Sequence, residues 1–142
     1  MSEPDIIKGF LIEDLKNKYE IVATDHWLIR HHPEPYPLNG WLLLDSKRHI
    51  QDPSKFTHDE SLSWGVTVKK ATDLVKEITK CDRVYLIAFG EGAPHLHLHL
   101  IPRFIHEDQT KAWAIADYYR NITYGNIKHV KANEVKASVE KA

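Results

Sequence analysis

Three histidines alternate with leucines in the segment His95-Leu96-His97-Leu98-His99-Leu100. In an extended strand, residues two apart face the same side at roughly 6.6 Å, so His95 and His99 start about 13 Å apart at the backbone. A neutral imidazole carries one basic nitrogen and one N–H, so it can attack an electrophile, donate a hydrogen bond or ligate a metal. Zinc asks for nitrogen ligands at about 2.0–2.1 Å in a tetrahedron. Two alternating histidines can lean onto one ion, but three along a straight strand reach it poorly, and neither a cysteine cluster nor a His-Glu-x-x-His pattern adds a ligand. The spacing better suits an extended substrate bearing several oxygens, with the central ring attacking and its neighbours donating on either side. A divalent metal site and a merely solvated histidine face stand as the alternatives. Upstream, Gly90-Glu91-Gly92-Ala93 offers backbone N–H groups, and its glycines allow close approach of an anion to the chain.

These side chains need a scaffold, and the pattern along the chain predicts an α+β fold. Ile7, Leu11 and Leu15 recur every four residues, which predicts a short amphipathic N-terminal helix. Two strands follow in the stretch from Tyr19 to His32, broken near Thr24-Asp25. The three prolines and the Asn39-Gly40 pair between His32 and Gly40 require a loop. A strand resumes at Trp41. Thr57 and Glu60 form a capping-box pattern for a long helix whose buried stripe is Trp64, Val68, Ala71, Val75 and Ile78. Arg83 to Phe89 and His95 to Pro102 read as antiparallel neighbours joined by a tight glycine loop. Thr110 to Arg120 reads as a short helix with Trp113 on its buried stripe, and the polar tail after Gly125 reads as solvated. Strands and helices do not alternate regularly, which argues against a doubly wound parallel sheet.

The 142 residues fit one domain, with a core over about 20–105 and a C-terminal helix and tail over 110–142. The composition, 42% hydrophobic and 27% charged, is that of a globular protein. A formal charge of -1 gives no global field to gather nucleic acid or an anionic membrane, so neither is an expected partner. Cys81 is the only cysteine, so no disulfide closes within this sequence and a reducing cytoplasm is the expected setting. The acidic N-terminus does not read as a secretory signal. The longest apolar runs, near Trp41–Leu44 and Val84–Phe89, are too short to cross a bilayer.

His95 to Ile101 resembles the His-φ-His-φ-His-φ-φ signature of the histidine triad superfamily, where φ is apolar, and Pro102-Arg103 and Lys47 to Ile50 sit where many members carry similar residues. The resemblance spans roughly Glu20 to Arg103. It implies a compact fold on an antiparallel sheet, paired as a homodimer. It also implies a nucleotide-type substrate, with hydrolysis or transfer at the α-phosphate of a dinucleoside polyphosphate or nucleoside phosphoramidate. On that resemblance His97 is the nucleophile and becomes transiently nucleotidylated, His99 donates to the phosphate oxygens or acts as acid, and His95 orients the row. Gly90, Glu91, Gly92, Trp41, His49 and Arg103 are the implied substrate-binding residues. No cofactor is required, since imidazoles and backbone N–H groups can meet the charge on one phosphate.

The chain departs from the family's pattern at three places. Many members carry a fourth histidine where Trp41 stands, and an indole can donate one hydrogen bond but cannot relay a proton. Glu91 and Gly92 replace an amide and a hydroxyl. The acidic residue expected at the ribose is not evident among His31, His32 and Glu34. These departures keep open a non-catalytic nucleotide-binding or adaptor protein of the same fold, with a metal-binding protein as a further alternative.

Overall fold

The computed structural model describes residues 6–7, 10–11, 18–90, 93–123 and 132–141. Its centre is a five-stranded antiparallel sheet built from β3 (Glu20–Ala23), β4 (Trp27–His31), β5 (Leu42–Ser46), β6 (Arg83–Ala88) and β7 (His97–Arg103). The strands run in the order β3-β4-β5-β7-β6, so β7 lies between β5 and β6, with β3 and β6 at the edges. Leu42 pairs with Leu100 and Leu44 with Leu98 across the β5–β7 ladder, and Ala88 also pairs with Leu98 from the other side.

Alternation divides each strand between two faces. Trp27, Ile29, Leu42, Leu44, Leu98 and Leu100 form one face and join a single buried cluster. Helix α1 (His58–Thr79) covers it, with Ala71 and Val75 fully buried and Trp64, Val68 and Ile78 packed alongside. The capping box is formed as the sequence predicts: the Glu60 amide donates to the Thr57 hydroxyl at 3.2 Å, and the Thr57 amide to the Glu60 carboxylate at 2.8 Å. Gly40, at φ +84°, sits where any Cβ would fall 2.1 Å from the Thr79 side chain, so the loop can pass the end of α1 only with glycine there.

On the opposite face lie Arg30, Leu43, Asp45, His97, His99 and Ile101, and all are buried. Helix α2 (Ala112–Thr123) packs here through Ile115, Tyr118 and Tyr119. The chemically active face of the sheet is therefore enclosed, which sets the character of the site.

Four expectations are corrected. Ile6–Ile7 and Phe10–Leu11 form a small antiparallel pair, β1 and β2, rather than a helix. β-Branched Ile6 and Ile7 before Lys8-Gly9 and aromatic Phe10 after it favour strands, and glycine weakens a helix interior; Leu15 lies outside the described residues. The polar tail carries helix α3 (Ala132–Lys141), which is not merely solvated: Val135 is buried against Tyr19, Tyr36 and Ala93. Trp113 is 88% exposed, because α2 turns Ile115, Tyr118 and Ile122 inward instead. Finally, β7 begins at His97, so residues 89–96 connect β6 to β7 and the loop is not a tight turn.

Candidate active site

His97 is the first residue of β7 and His99 follows on the same face, with ring centroids 5.2 Å apart. Cross-strand partners share a face. Asp45 therefore lies beside His97, and Leu43 stands between His99 and Arg30 in one row across β7, β5 and β4. Both rings are nearly enclosed, at 3% exposure for His97 and 6% for His99.

Proton positions follow from which partners can only accept or only donate. His97 Nδ1 lies 2.8 Å from the His95 carbonyl, so this nitrogen donates and the basic lone pair of the neutral ring is on Nε2. His95 has a different task from the one its place in the row suggests. It precedes the strand, its Nε2–H donates to the Ser46 carbonyl at 2.6 Å, and its Nδ1 lies 2.9 Å from Nδ1 of His49. The ring of His95 anchors the start of β7 to the end of β5, and its carbonyl orients His97.

Trp41 donates its indole N–H to Nδ1 of His99 at 3.0 Å. The loop of residues 32–40 delivers it there. The His32 amide donates to the Trp41 carbonyl at 2.9 Å, and the Gly40 amide donates to His31 Nε2 at 2.9 Å. His31 in turn donates from Nδ1 to the His32 carbonyl at 3.0 Å. Burial, aided by the Arg30 charge and opposed by that backbone bond, holds the His31 imidazole down to about 4. It is a neutral brace for the loop.

Tyr119 closes the site from above. Its ring stacks on Trp41 at 4.9 Å and 25°, and stands edge-on to His99 at 5.6 Å. His32 Nδ1 donates to the Pro33 carbonyl at 2.6 Å, so its neutral ring accepts at Nε2 from the Tyr119 hydroxyl 2.8 Å away. Burial pushes the Tyr119 phenol up to about 12. An apolar cavity of about 70 Å³ opens beside His99, between Trp41, Ile87, Ile115 and Tyr119.

Arg30 and Asp45 complete the face. Both side chains are fully buried, and Arg30 donates from Nε at 2.5 Å and Nη2 at 3.1 Å to the two carboxylate oxygens. Arg30 Nη1 has no hydrogen-bond partner among the described residues. The pair sets two opposite charges beside the histidines on the same face.

Of the residues singled out by sequence, His95, His97, His99, Trp41 and His49 are brought together. Arg103 is not: it lies at the far end of β7, about 20 Å from His97 by strand rise, and donates to the carbonyls of Phe104 and Glu107 and to the Thr110 hydroxyl. Gly90 is exposed, and a Cβ there would meet only ordinary contacts. Glu91 and Gly92 lie outside the described residues. Among the described residues, no three histidine, cysteine or acidic side chains converge to hold a metal ion. Sequence reasoning missed Tyr119, Ser46 and the Arg30–Asp45 pair. The Ile115-Tyr119-Ile122 spacing carried a signal for Tyr119, since it marks the inward stripe of α2. Arg30 and Asp45 look like solvated charges until the register is known.

No protein-family model matches the chain, and no curated protein matches it in sequence. Solved structures do. A Hit-like protein of Bartonella henselae involved in cell-cycle regulation, solved with an unknown ligand, superposes with a TM-score of 0.65 at 15% identity, covering 91% of this chain and 89% of that one. A histidine triad protein of Bradyrhizobium japonicum gives 0.59 at 23% identity, covering 93% and 96%. A hypothetical histidine triad nucleotide-binding protein of Sulfolobus tokodaii gives 0.55 at 19% identity, covering 87% and 84%. With the five-stranded antiparallel sheet, the long helix beneath it and the histidine row on β7, this chain has the histidine triad fold.

Proposed function

We propose that the protein is a nucleotide hydrolase or nucleotidyl transferase that attacks the α-phosphate of a nucleotide conjugate through His97. The observation that carries this reading is the 2.8 Å bond from His97 Nδ1–H to the His95 carbonyl. It leaves Nε2 as the basic nitrogen, beside a second imidazole, in a site sheltered from water. Nucleophilic catalysis needs this combination: a nucleophile of fixed tautomer, and a nearby donor for the charge on phosphorus. Attack by Nε2 forms a P–N bond while the bond to the leaving group breaks. The ring then carries positive charge, and the His95 carbonyl stabilises it through the retained Nδ1–H. Water next attacks phosphorus, the P–N electron pair returns to Nε2, and one water proton leaves to solvent. The scheme calls on no metal ion. The nucleotide-binding description of the Sulfolobus tokodaii neighbour agrees with this substrate class.

Rapid quench at neutral to alkaline pH after mixing with diadenosine tetraphosphate, followed by intact mass measurement, tests the reading. A nucleotide-sized adduct is expected on the native chain and none on His97→Ala, which should still bind nucleotide. An adduct at another residue, or full turnover by His97→Ala, defeats it. A second reading, nucleotide binding without turnover, is favoured by one observation: His97 is only 3% exposed, and Tyr119 of α2 stands against its neighbour His99. Binding with no adduct at any time would select it.

A further inference from the structure

We infer that Trp41 is a positioning residue that selects the class of leaving group: it confines His99 to a neutral, Nε2-protonated imidazole and so suits the site to groups that depart as anions rather than as amines. The inference rests on the nucleotidyl-transfer reading above.

An indole N–H can only donate. At 3.0 Å from His99 Nδ1, it requires that nitrogen to be the acceptor, so the single proton of neutral His99 is on Nε2. Protonating His99 to the imidazolium would set N–H against N–H and break a buried hydrogen bond. The geometry around the pair resists that change. Trp41 is 2% exposed, its ring stacks on Tyr119, and its backbone is tied to His32 and Leu38. Among the described residues, the ionisable groups seen facing His99 include His97 on the same strand, His32 at the end of β4, and Tyr119 on α2. Arg30 and Asp45, two and one strands away, are already paired with each other.

The chemical consequence concerns the proton. A neutral His99 can donate its Nε2–H to a phosphate oxygen and keep the proton throughout. To act as general acid it would have to become an imidazolate, which makes it a far poorer acid than imidazolium. When His97 attacks an anhydride, the P–O electron pair leaves on a phosphate oxygen, which is stable without a proton. When it attacks a phosphoramidate, the P–N pair leaves on nitrogen, and that nitrogen must gain a proton as the bond breaks. His99 cannot supply it while Trp41 holds Nδ1. The substrate class is therefore a phosphoanhydride such as a dinucleoside polyphosphate.

The test compares diadenosine tetraphosphate with adenosine 5′-phosphoramidate, on the native chain and on Trp41→Phe, which keeps an aromatic ring against Tyr119 but removes the N–H. The native protein should turn over the anhydride at least about 10²-fold faster, the lower end of what a general acid contributes. In Trp41→Phe the ratio should narrow by at least about 10-fold, with phosphoramidate turnover rising as pH falls below about 6.5, where a released imidazole takes up its proton. ¹⁵N spectra of native His99 should show the Nε2–H tautomer from pH 7 down to 5.5, a readout that stands even if the variant does not fold. Native preference for the phosphoramidate, an unchanged ratio and pH profile in Trp41→Phe, or an imidazolium or Nδ1–H signal from His99 would overturn the inference while leaving a His97 adduct intact. Absence of the adduct with both substrates would overturn the inference together with the reading beneath it.

Discussion

At the scale of single residues, the site is organised by hydrogen bonds that each leave one partner no choice. A carbonyl fixes His97, an indole fixes His99, and a second carbonyl takes the Nε2–H of His95. Beside them on the same face, Arg30 and Asp45 hold opposite charges in full burial. Such a pair gains little over a hydrophobic replacement of similar volume, but losing one partner strands the other. Asp45→Asn should therefore cost about 3–5 kcal/mol in urea unfolding. The double replacement Arg30→Met with Asp45→Leu should cost clearly less than the single change. A single variant as stable as the native chain would show that the carboxylate does not hold the guanidinium charge. That His97 and His99 share one face was legible from alternation alone. This pair was not: Arg30 and Asp45 are fifteen positions apart, and only the β4–β5 register, with Arg30 opposite Leu43 and Leu28 opposite Asp45, brings them side by side.

At the scale of elements, the loop of residues 32–40 matters most, because it carries Trp41 to His99 through the His31 brace. Its existence was legible in its prolines and Asn-Gly pair, as α1 was in its capping box and stripe. Its function was not, since sequence shows where a loop lies but not what its backbone N–H groups meet. The N-terminal segment shows the converse failure: a spacing of four at Ile7 and Leu11 fits a helix, yet Gly9 and local β-preference decide for paired strands. The brace makes the fold acid-sensitive. His31 titrates near 6.5 when unfolded and near 4 in the fold, chiefly through burial. Between those values the unfolded chain binds the extra proton, so stability is fully present above pH 6.5 and falls as pH drops toward 4. The loss is about 3 kcal/mol at most, at 1.36 kcal/mol per unit. Urea midpoints at pH 7, 5.5 and 4.5 should fall for the native chain. In His31→Gln, which can still accept from Gly40 but does not titrate, the decline across this window should be shallower. Parallel declines in the two proteins would assign the acid sensitivity elsewhere.

At the scale of the whole molecule, the two faces of the sheet are covered, by α1 on one side and by α2 with the loop on the other, while among the described residues β6 stands at the sheet edge with no strand beyond it. Leu86 on β6 is 47% exposed. Alternation puts Leu86 on the α1 face of the sheet, with Val84, which packs into the α1 core. Apolar side chains beside an open strand edge invite pairing with another chain. A two-fold axis along this edge would satisfy the backbone groups of both copies and bury the same residues twice, as a self-complementary interface requires. Leu86→Lys sets a charge on that edge without touching the triad. Light scattering of the native protein at micromolar concentration should give about 33 kDa, twice the chain mass of 16.5 kDa. The variant should shift the mass toward a single chain, with an unchanged far-ultraviolet circular dichroism spectrum reporting an intact fold. A native protein that stays at one chain mass as concentration rises would remove the dimer. A native dimer indifferent to the substitution would move its interface to another surface.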